Sequence, residues 1–491
     1  MEKSSMRNVL TLVILAAMAH AVLAAEAPVA VGPVPSARQL ASQADEIYGF
    51  AHFGVNTFTD AEWGSGSEKE SIFNPTDFDA DQIVRAFKDG GMKGVIITAK
   101  HHDGFCLWPS AYTEHSVKNS PWKGGHGDVV REIADACHRQ GIKFGFYLSP
   151  WDRSHPEYGR PGYLVYYKNQ LRELLTNYGP IFEIWLDGAN GGKGYYGGAN
   201  ETRKVDATRY YQWPDAWVSM IRQLQPDCVI HSDFGPDNRW GGSESGTQPL
   251  PCWSTLQAHD LTFNSKWKSP RNMYGEHPGD VWLPPESDVS IRPGWFYHAG
   301  DDRKVKGAKT LLNLYYQSVG RGSNLLLNVP PDRRGRIADI DVETLKQFKS
   351  LKDRTFAVNL AASADVKADS VRGGDSRFDG AKAVDGDPAT FWCTDDAVKA
   401  AEMDLAWPAP VRYDVVNLQE YIQLGQRVEG YEVDHWDGAG WVADAVGQSV
   451  GHRALVKLAK PVTTSKVRLK ITAAAACPAI SEFGLYLEPE K

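Results

Sequence analysis

Along the first half of the chain, short apolar runs with polar or aromatic tips alternate with stretches of helical periodicity. The runs are Tyr48 to Val55, Gly94 to Lys100, Phe144 to Pro150, Phe182 to Leu186 and Cys228 to Asp233. Between them, Asp79 to Asp89, Asp128 to Arg139, Tyr163 to Asn177 and Trp213 to Leu224 read as helices. In the first of these, Ile83, Val84 and Phe87 share a face, and Gly90-Gly91 is its stop signal. Strands that alternate with helices pair in parallel through right-handed crossovers. A further buried run, Asn324 to Val329, follows a helix at about Ala308 to Val319. Count and length predict an α/β domain over 26–356 built as a (β/α)8-type barrel, with the sixth and seventh strands unmarked in the loop-rich 245–300. No GxGxxG follows the first strand, which argues against a dinucleotide fold.

From about Ala361 the texture changes to short alternating segments separated by Gly and Asp, such as Val428 to Val433 and Val467 to Ile471. That pattern predicts a second, all-β sandwich domain over 357–491. At the other end, Lys3 and Arg7 precede an apolar Val9 to Val22, with Val22-Leu23-Ala24 before Ala25 as a cleavage site. Residues 1–25 therefore read as a signal peptide, and the mature protein as periplasmic or secreted. No Cys lies near the cleavage site to carry a lipid anchor, and no other segment is long and apolar enough to span a bilayer. The formal net charge of -8 argues against nucleic acid or an anionic membrane as partner. Disulfides are permitted in an exported chain, yet the spacing of the six Cys selects no pairing and contains no CxxC for zinc or redox work.

In such a barrel the reacting groups gather where the strands end, which singles out His52, His101, His102, Tyr147, Asp187 and Asp233. Asp187 closes the apolar run Ile184-Trp185-Leu186 and opens a glycine-rich loop, a place where a charge is costly to desolvate. It either caps a turn or takes part in chemistry. His101 and His102 do not have metal-site spacing, because adjacent strand residues point to opposite faces. Both reach one pocket only if the chain turns there, and polar ligation of a substrate is then their reading. The chain is also rich in Trp (16) and Tyr (20), whose half-apolar rings suit the faces of sugars. Cleaving a glycosidic bond takes a second carboxylate. The loop Gly235 to Gly246 offers two, Asp237 and Glu244.

Several stretches taken together resemble the α-L-fucosidases of glycoside hydrolase family 29. They are His52-Phe53-Gly54, Glu62-Trp63-Gly64, Phe73-Asn74-Pro75, Ala99 to Phe105 (AKHHDGF), Trp185-Leu186-Asp187-Gly188 and Ile291 to Tyr297. The resemblance spans roughly Gln43 to Asp353. It implies an exo-acting, retaining enzyme that needs no catalytic cofactor or metal and takes a fucosylated oligosaccharide or glycan. Asp187 would be the nucleophile and Glu244 the acid/base. His52, Glu62, Trp63, His101, His102, Tyr147 and Trp295 would line the fucose pocket, and Arg239 would hold the acid loop or the substrate. The loop GPDNRWGGSESG is similar to that of the subfamily preferring α1,3- or α1,4-linked fucose of Lewis-type glycans, departing from it at Gly241 and Ser243.

The C-terminal region, about 362 to 488, resembles a discoidin (F5/8 type C) domain in Arg372-Gly373-Gly374, Ala383 to Trp392 and the closing Ile480 to Tyr486. That resemblance implies sugar binding and a structural calcium, and the alternative is a packing domain that shields one side of the barrel. The rival readings are a fucosidase of broader specificity (α1,2-linked or aryl fucosides), a fucose-binding protein on an inactive barrel, and a metal-dependent hydrolase.

Overall fold

The structure is a computed structural model that describes residues 25–189, 192–205, 215–233, 235–258 and 270–490. Apart from Ala25, the signal peptide lies outside the described residues, as do Asn190 and Gly191. Eight strands form a closed barrel: β1 (Ile47–Ala51), β2 (Gly94–Lys100), β3 (Lys143–Leu148), β4 (Glu183–Trp185), β5 (Val229–Ser232), β6 (Asn238–Trp240), β7 (Pro285–Ser290) and β8 (Asn324–Asn328). Each pairs in parallel with the next, and β1 closes on β8 with Ile47 opposite Leu325.

Helices α1 (Ala37–Asp45), α2 (Ala80–Asp89), α3 (Val129–Gln140), α4 (Pro161–Asn177), α5 (Asp215–Leu224), α6 (Ala308–Gln317) and α7 (Asp339–Thr355) accompany the strands. Asp79 and Asp128 cap α2 and α3 by accepting the backbone N–H of Gln82 and Arg131. The predicted face of α2 is buried: Ile83, Val84 and Phe87 join the apolar layer between strands and helices. A separate small cluster of Tyr48, Phe50, Ile96, Tyr147, Trp185 and Leu326 fills the barrel itself. The two clusters follow from the two-residue period of the strands.

The two strands that the sequence left unmarked explain themselves. β6 is only three residues long, Asn-Arg-Trp, and only positions 233–237 separate it from β5, so it read as part of a loop. β7 is wholly buried yet reads Pro-Glu-Ser-Asp-Val-Ser, with no apolar run to find. Between β6 and β7 the chain inserts a two-stranded ribbon, Thr255–Leu256 against Val281–Trp282, and a one-turn helix, Pro270–Tyr274.

Beyond α7 come seven antiparallel strands with their own core of Trp392, Met403, Leu405, Leu418, Val433, Leu469 and Phe483. They are β9 (Asp365–Ala368), β10 (Trp392–Cys393), β11 (Ala401–Glu420), β12 (Val428–Trp436), β13 (Trp441–Gly447), β14 (Ala454–Ala474) and β15 (Ala479–Tyr486). The long β11 and β14 pair along most of their length, and register shifts around Ala406 to Val411 divide the ladder. Residues 25–34, although contiguous with the barrel in sequence, run along this second domain. Val31 N–H bonds the Leu424 carbonyl at 3.0 Å, and Ala25 N–H bonds Asp375 at 3.1 Å. The barrel's own elements begin at α1, whose cap is Ser36. The domains meet where Arg453 bonds Tyr315 at 2.9 Å and pairs with Glu46 at 2.6 Å, and where Phe356 meets Tyr486. Among the described residues no helix is long and apolar enough to cross a membrane.

Candidate active site

The C-terminal ends of the barrel strands surround a cavity of about 620 Å³, counting its open mouth. Its wall includes His52, His101, His102, Tyr147, Asp187, Asp233, Glu244 and Trp295. Strand alternation sets the wall. Tyr147 faces inward from β3, while His52, Asp187 and Asp233 follow the inward residues Phe50, Trp185 and His231 by two positions. β2 ends at Lys100, and the chain turns at once. His101 and His102 therefore both face the cavity, with ring centroids 4.0 Å apart.

Hydrogen bonds fix the tautomers of the three imidazoles. His102 Nδ1 lies 2.7 Å from Ser149 Oγ, whose own proton goes to the Trp151 carbonyl, so Nδ1 is the donor. His52 Nδ1 lies 2.9 Å from Asn328 Oδ1 and must also donate. The Asn328 amide is oriented by its Nδ2 bonds to Ser290 and the Trp295 carbonyl. His52 and His102 thus turn bare Nε2 atoms toward other partners. His101 is the reverse: Asn56 Nδ2 faces its Nδ1 at 3.4 Å and also bonds Asp103, so Nδ1 accepts and Nε2 carries the proton. Burial pushes His52 and His102 down to about 3 and His101 well below its usual range, so all three rings are neutral at working pH.

At the cavity floor Asp187 Oδ2 accepts the Tyr147 hydroxyl at 2.9 Å, and Oδ1 accepts the Ala189 N–H at 2.6 Å. His102 Nε2 stands 3.7 Å from Oδ2. Burial raises the Asp187 carboxyl to about 6 against these two hydrogen bonds, and the charge of Glu244 adds to the rise. Trp185 stacks against Tyr147 at 5.6 Å and against His231 at 4.4 Å, and so fixes the phenol that orients the carboxylate. Asp233 packs so closely on Gly188 that any Cβ there would run into its carboxyl, which explains the glycine after Asp187. Burial, and then Asp187, raise Asp233 to about 7.

Glu244 lies on the exposed loop after β6 and faces the same cavity. Gly241, where the sequence departs from the resembled subfamily, has no room for a side chain, because a Cβ would strike the Gln248 amide and the Glu286 carbonyl. Sequence reasoning missed two cavity residues here. Trp240 and Asp288 face inward from β6 and β7 and are joined by a Trp240 Nε1 to Asp288 Oδ1 bond of 2.9 Å. Asp288 is buried, and burial and the Glu244 charge push its carboxyl well up. Period-two alternation through the polar run Glu286-Ser287-Asp288 is the signal that would have found it.

Of Glu62, Trp63 and Arg239, only Trp63 lines the cavity as expected. Glu62 does not line the cavity. It accepts the Trp295 N–H at 2.7 Å and the His298 Nε2–H at 2.6 Å, and so holds the turn that presents Trp295. Trp63 does line it, 60% exposed at the mouth and edge-on to His102. Arg239 is a correction. On β6 it faces outward between Asn238 and Trp240, fully buried, and donates to the carbonyls of Asn272 and Trp253 at 2.9 Å each and to that of Leu283. It ties down the insertion and cannot bind substrate. Asp237, the other carboxylate offered by this loop, is paired with Arg38 and Arg222 away from the cavity.

Below the cavity lies a second polar layer. Glu286 accepts Trp185 Nε1 at 2.7 Å, Asn238 Nδ2 at 3.1 Å and the Tyr48 hydroxyl. Glu183, His231 and Glu286 bring ligand atoms within 4.8 Å of one another, the one such group among the described residues that a metal could bridge. Glu286 is already saturated by N–H and O–H donors, however, and burial beside Glu286 pushes the Glu183 carboxyl well up.

The family model for α-L-fucosidase matches residues 36–351. Alpha-L-fucosidase 1 of Arabidopsis thaliana is 41% identical over 465 residues, covering 94% of this chain and 89% of that protein. A glycoside hydrolase 29 family member from an unknown rumen bacterium shares 44% identity with a TM-score of 0.84, covering 94% of this chain and 78% of that one. A Ruminococcus gnavus GH29 fucosidase in complex with fucose shares 34% identity with a TM-score of 0.85, covering 96% and 98%.

Proposed function

The chain belongs to the α-L-fucosidase family of glycoside hydrolases, and we propose that it releases terminal fucose by a retaining double displacement on Asp187 and Glu244. The observation that carries this reading is the Asp187 carboxylate, held by Tyr147 and Ala189 on the floor of a ring of neutral imidazoles. With its carboxyl at about 6, Asp187 is mostly ionised at neutral pH and able to attack.

In the first step Asp187 bonds to the anomeric carbon as the glycosidic bond breaks, and Glu244 gives its proton to the departing oxygen. In the second step Glu244 takes a proton from water, which displaces Asp187 and returns the original anomer. The imidazoles suit the sugar's hydroxyls: bare Nε2 atoms on His52 and His102 accept, and His101 Nε2–H donates. Phe50, Trp185 and Trp295 supply an apolar wall for the C5 methyl. The closed floor supports exo action on a single terminal residue. Catalysis in this family takes no cofactor.

We further propose export to the periplasm or medium, supported by the leader, and α1,3/1,4-linked fucose of Lewis-type glycans as substrate, supported by the 235–246 loop. The discoidin likeness of the second domain rests on its sequence pattern and its antiparallel strands. The test is fucose release from a Lewis-type trisaccharide, 2'-fucosyllactose and an aryl fucoside in parallel. Release from the Lewis sugar alone is the expected result. Comparable release from all three would leave the fucosidase and remove the linkage preference, and release from none by folded protein would favour a binding protein.

A further inference from the structure

The cysteines are nucleophiles that hydrolysis leaves unused. All six are buried, and four sit apart. Cys106 follows β2, Cys137 is within α3, Cys228 precedes β5, and Cys252 faces the Met273 carbonyl in the insertion. The remaining two lie together. Cys393 in β10 and Cys477 just before β15 place their sulfurs 3.9 Å apart, although 84 positions separate them in sequence. Strand pairing causes the meeting, because β10 lies on the start of β15 with Trp392 opposite Ile480 and Cys393 opposite Ala479.

Phe378, Phe391 and Ala479 pack around the pair, and one side is charged, with Asp396 Oδ1 3.7 Å from Cys477 Sγ. Arg427 Nη1 donates to Cys477 Sγ at 3.2 Å and to the carbonyl of the same residue at 2.9 Å. Arg372 stands nearby, paired with Asp396. The Cys393 S–H and then Arg427 hold Cys477 below the usual thiol range, whereas burial pushes Cys106, Cys137, Cys228 and Cys252 up. One sulfur is thus poised to attack, and its neighbour is within roughly 2 Å of bonding distance, a gap that side-chain rotation can close.

We propose that Cys393 and Cys477 are an oxidation site and form a disulfide that clamps β10, near the start of the second domain, to its last strand. The proposal rests on the exported reading for its oxidising surroundings. The oxidant is a disulfide-bonded thiol donor, either a protein or oxidised glutathione. The Cys477 thiolate attacks one donor sulfur, forming a mixed disulfide and expelling the other as a thiolate. Cys393, losing its proton, then attacks the Cys477 sulfur and expels the second donor thiolate. The two thiol protons end on the reduced donor, which gains the two electrons that the chain loses. The same two arginines also hold the N-terminal strap, Arg372 through the Glu26 carbonyl at 2.6 Å and Arg427 through that of Val29. The bond therefore fixes the point where strap, first edge and last strand converge.

The test uses the reduced, purified full chain incubated with oxidised glutathione, then denatured for thiol counting and mapped as peptides without reduction. Wild type is expected to lose two of its six thiols, to yield a peptide linking Cys393 to Cys477, and to melt roughly 5–10 °C higher than before oxidation. Cys393→Ser/Cys477→Ser should lose none and gain no melting temperature. Six free thiols, a lasting glutathione adduct on Cys477, or a different pair would overturn the proposal. Trapping of thiols in producing cells separates the two readings: a bond that forms in the tube while cellular protein stays reduced supports the site and removes the export.

Discussion

The barrel encloses two polar layers, and they differ in what their hydrogen-bonding groups face. In the lower layer Tyr48, Trp185 and Asn238 converge on Glu286, and His231 bonds Asn238 at 2.8 Å. In the upper layer His52, His101 and His102 each use one nitrogen on the protein and turn the other toward the cavity. Both layers are buried and polar, and the lower one even contains the carboxylate-histidine cluster that most resembles a metal site. Hydrogen-bonding capacity left facing open space, more than polarity or burial, marks the upper layer as the place for a ligand.

Substitutions in the two layers should therefore fail in different ways. The largest effect belongs to the upper layer: Asp187→Ala is expected to lower kcat/KM by roughly 10³-fold or more with an unchanged circular dichroism spectrum. Glu244→Gln should cost roughly 10²–10⁴-fold on a glycan but little in the first step on an aryl fucoside, whose leaving group needs no proton. Burst kinetics on the two substrates separate these cases.

In the lower layer, Glu286→Ala strips the acceptor from Trp185, Tyr48 and Asn238 together. Urea denaturation should show a loss of roughly 3–5 kcal/mol. Wild-type stability in that variant would erase the distinction between the layers.

Asp187 itself links function to stability with opposite signs. Its native carboxyl sits at about 6, above the ordinary 3.8, so the folded state binds the proton more tightly than the unfolded chain does. Its favourable contribution is full below 3.8 and is lost as pH rises through about 6. Asp187→Asn does not titrate. It should gain stability relative to wild type across that window and level off at roughly 1–3 kcal/mol. In wild type, kcat/KM should fall as pH drops below about 6, where the nucleophile takes a proton. The smallest expected effect is that of Asp288→Asn, which keeps an acceptor for Trp240. A change under about tenfold in kcat/KM would leave Glu244 as the acid, and a loss as large as that of Glu244→Gln would transfer the role to Asp288.

The sequence made the barrel legible wherever a strand was an apolar run and its helix had a cap, as at Ile83 to Phe87 behind Asp79. It was silent at β6 and β7 because a three-residue strand has no period and because β7 carries its polarity into the lumen. The same silence hid Trp240 and Asp288. Arg239 was misplaced for a related reason: once Asn238 to Trp240 is a strand, alternation sends the middle residue outward, and a loop reading contains no such constraint. His101 and His102 were legible as a pair only through the turn after Lys100. The meeting of Cys393 and Cys477 depends on strand pairing across most of the second domain, which spacing does not encode.

The most direct test of the central claim is to trap the glycosyl-enzyme with 2-deoxy-2-fluoro-α-L-fucosyl fluoride and locate the label by peptide mass spectrometry. One fucosyl group on the peptide containing Asp187, with activity lost in step, is the predicted result. A label on Asp233, Asp288 or Glu244 instead would contradict the assignment of the nucleophile.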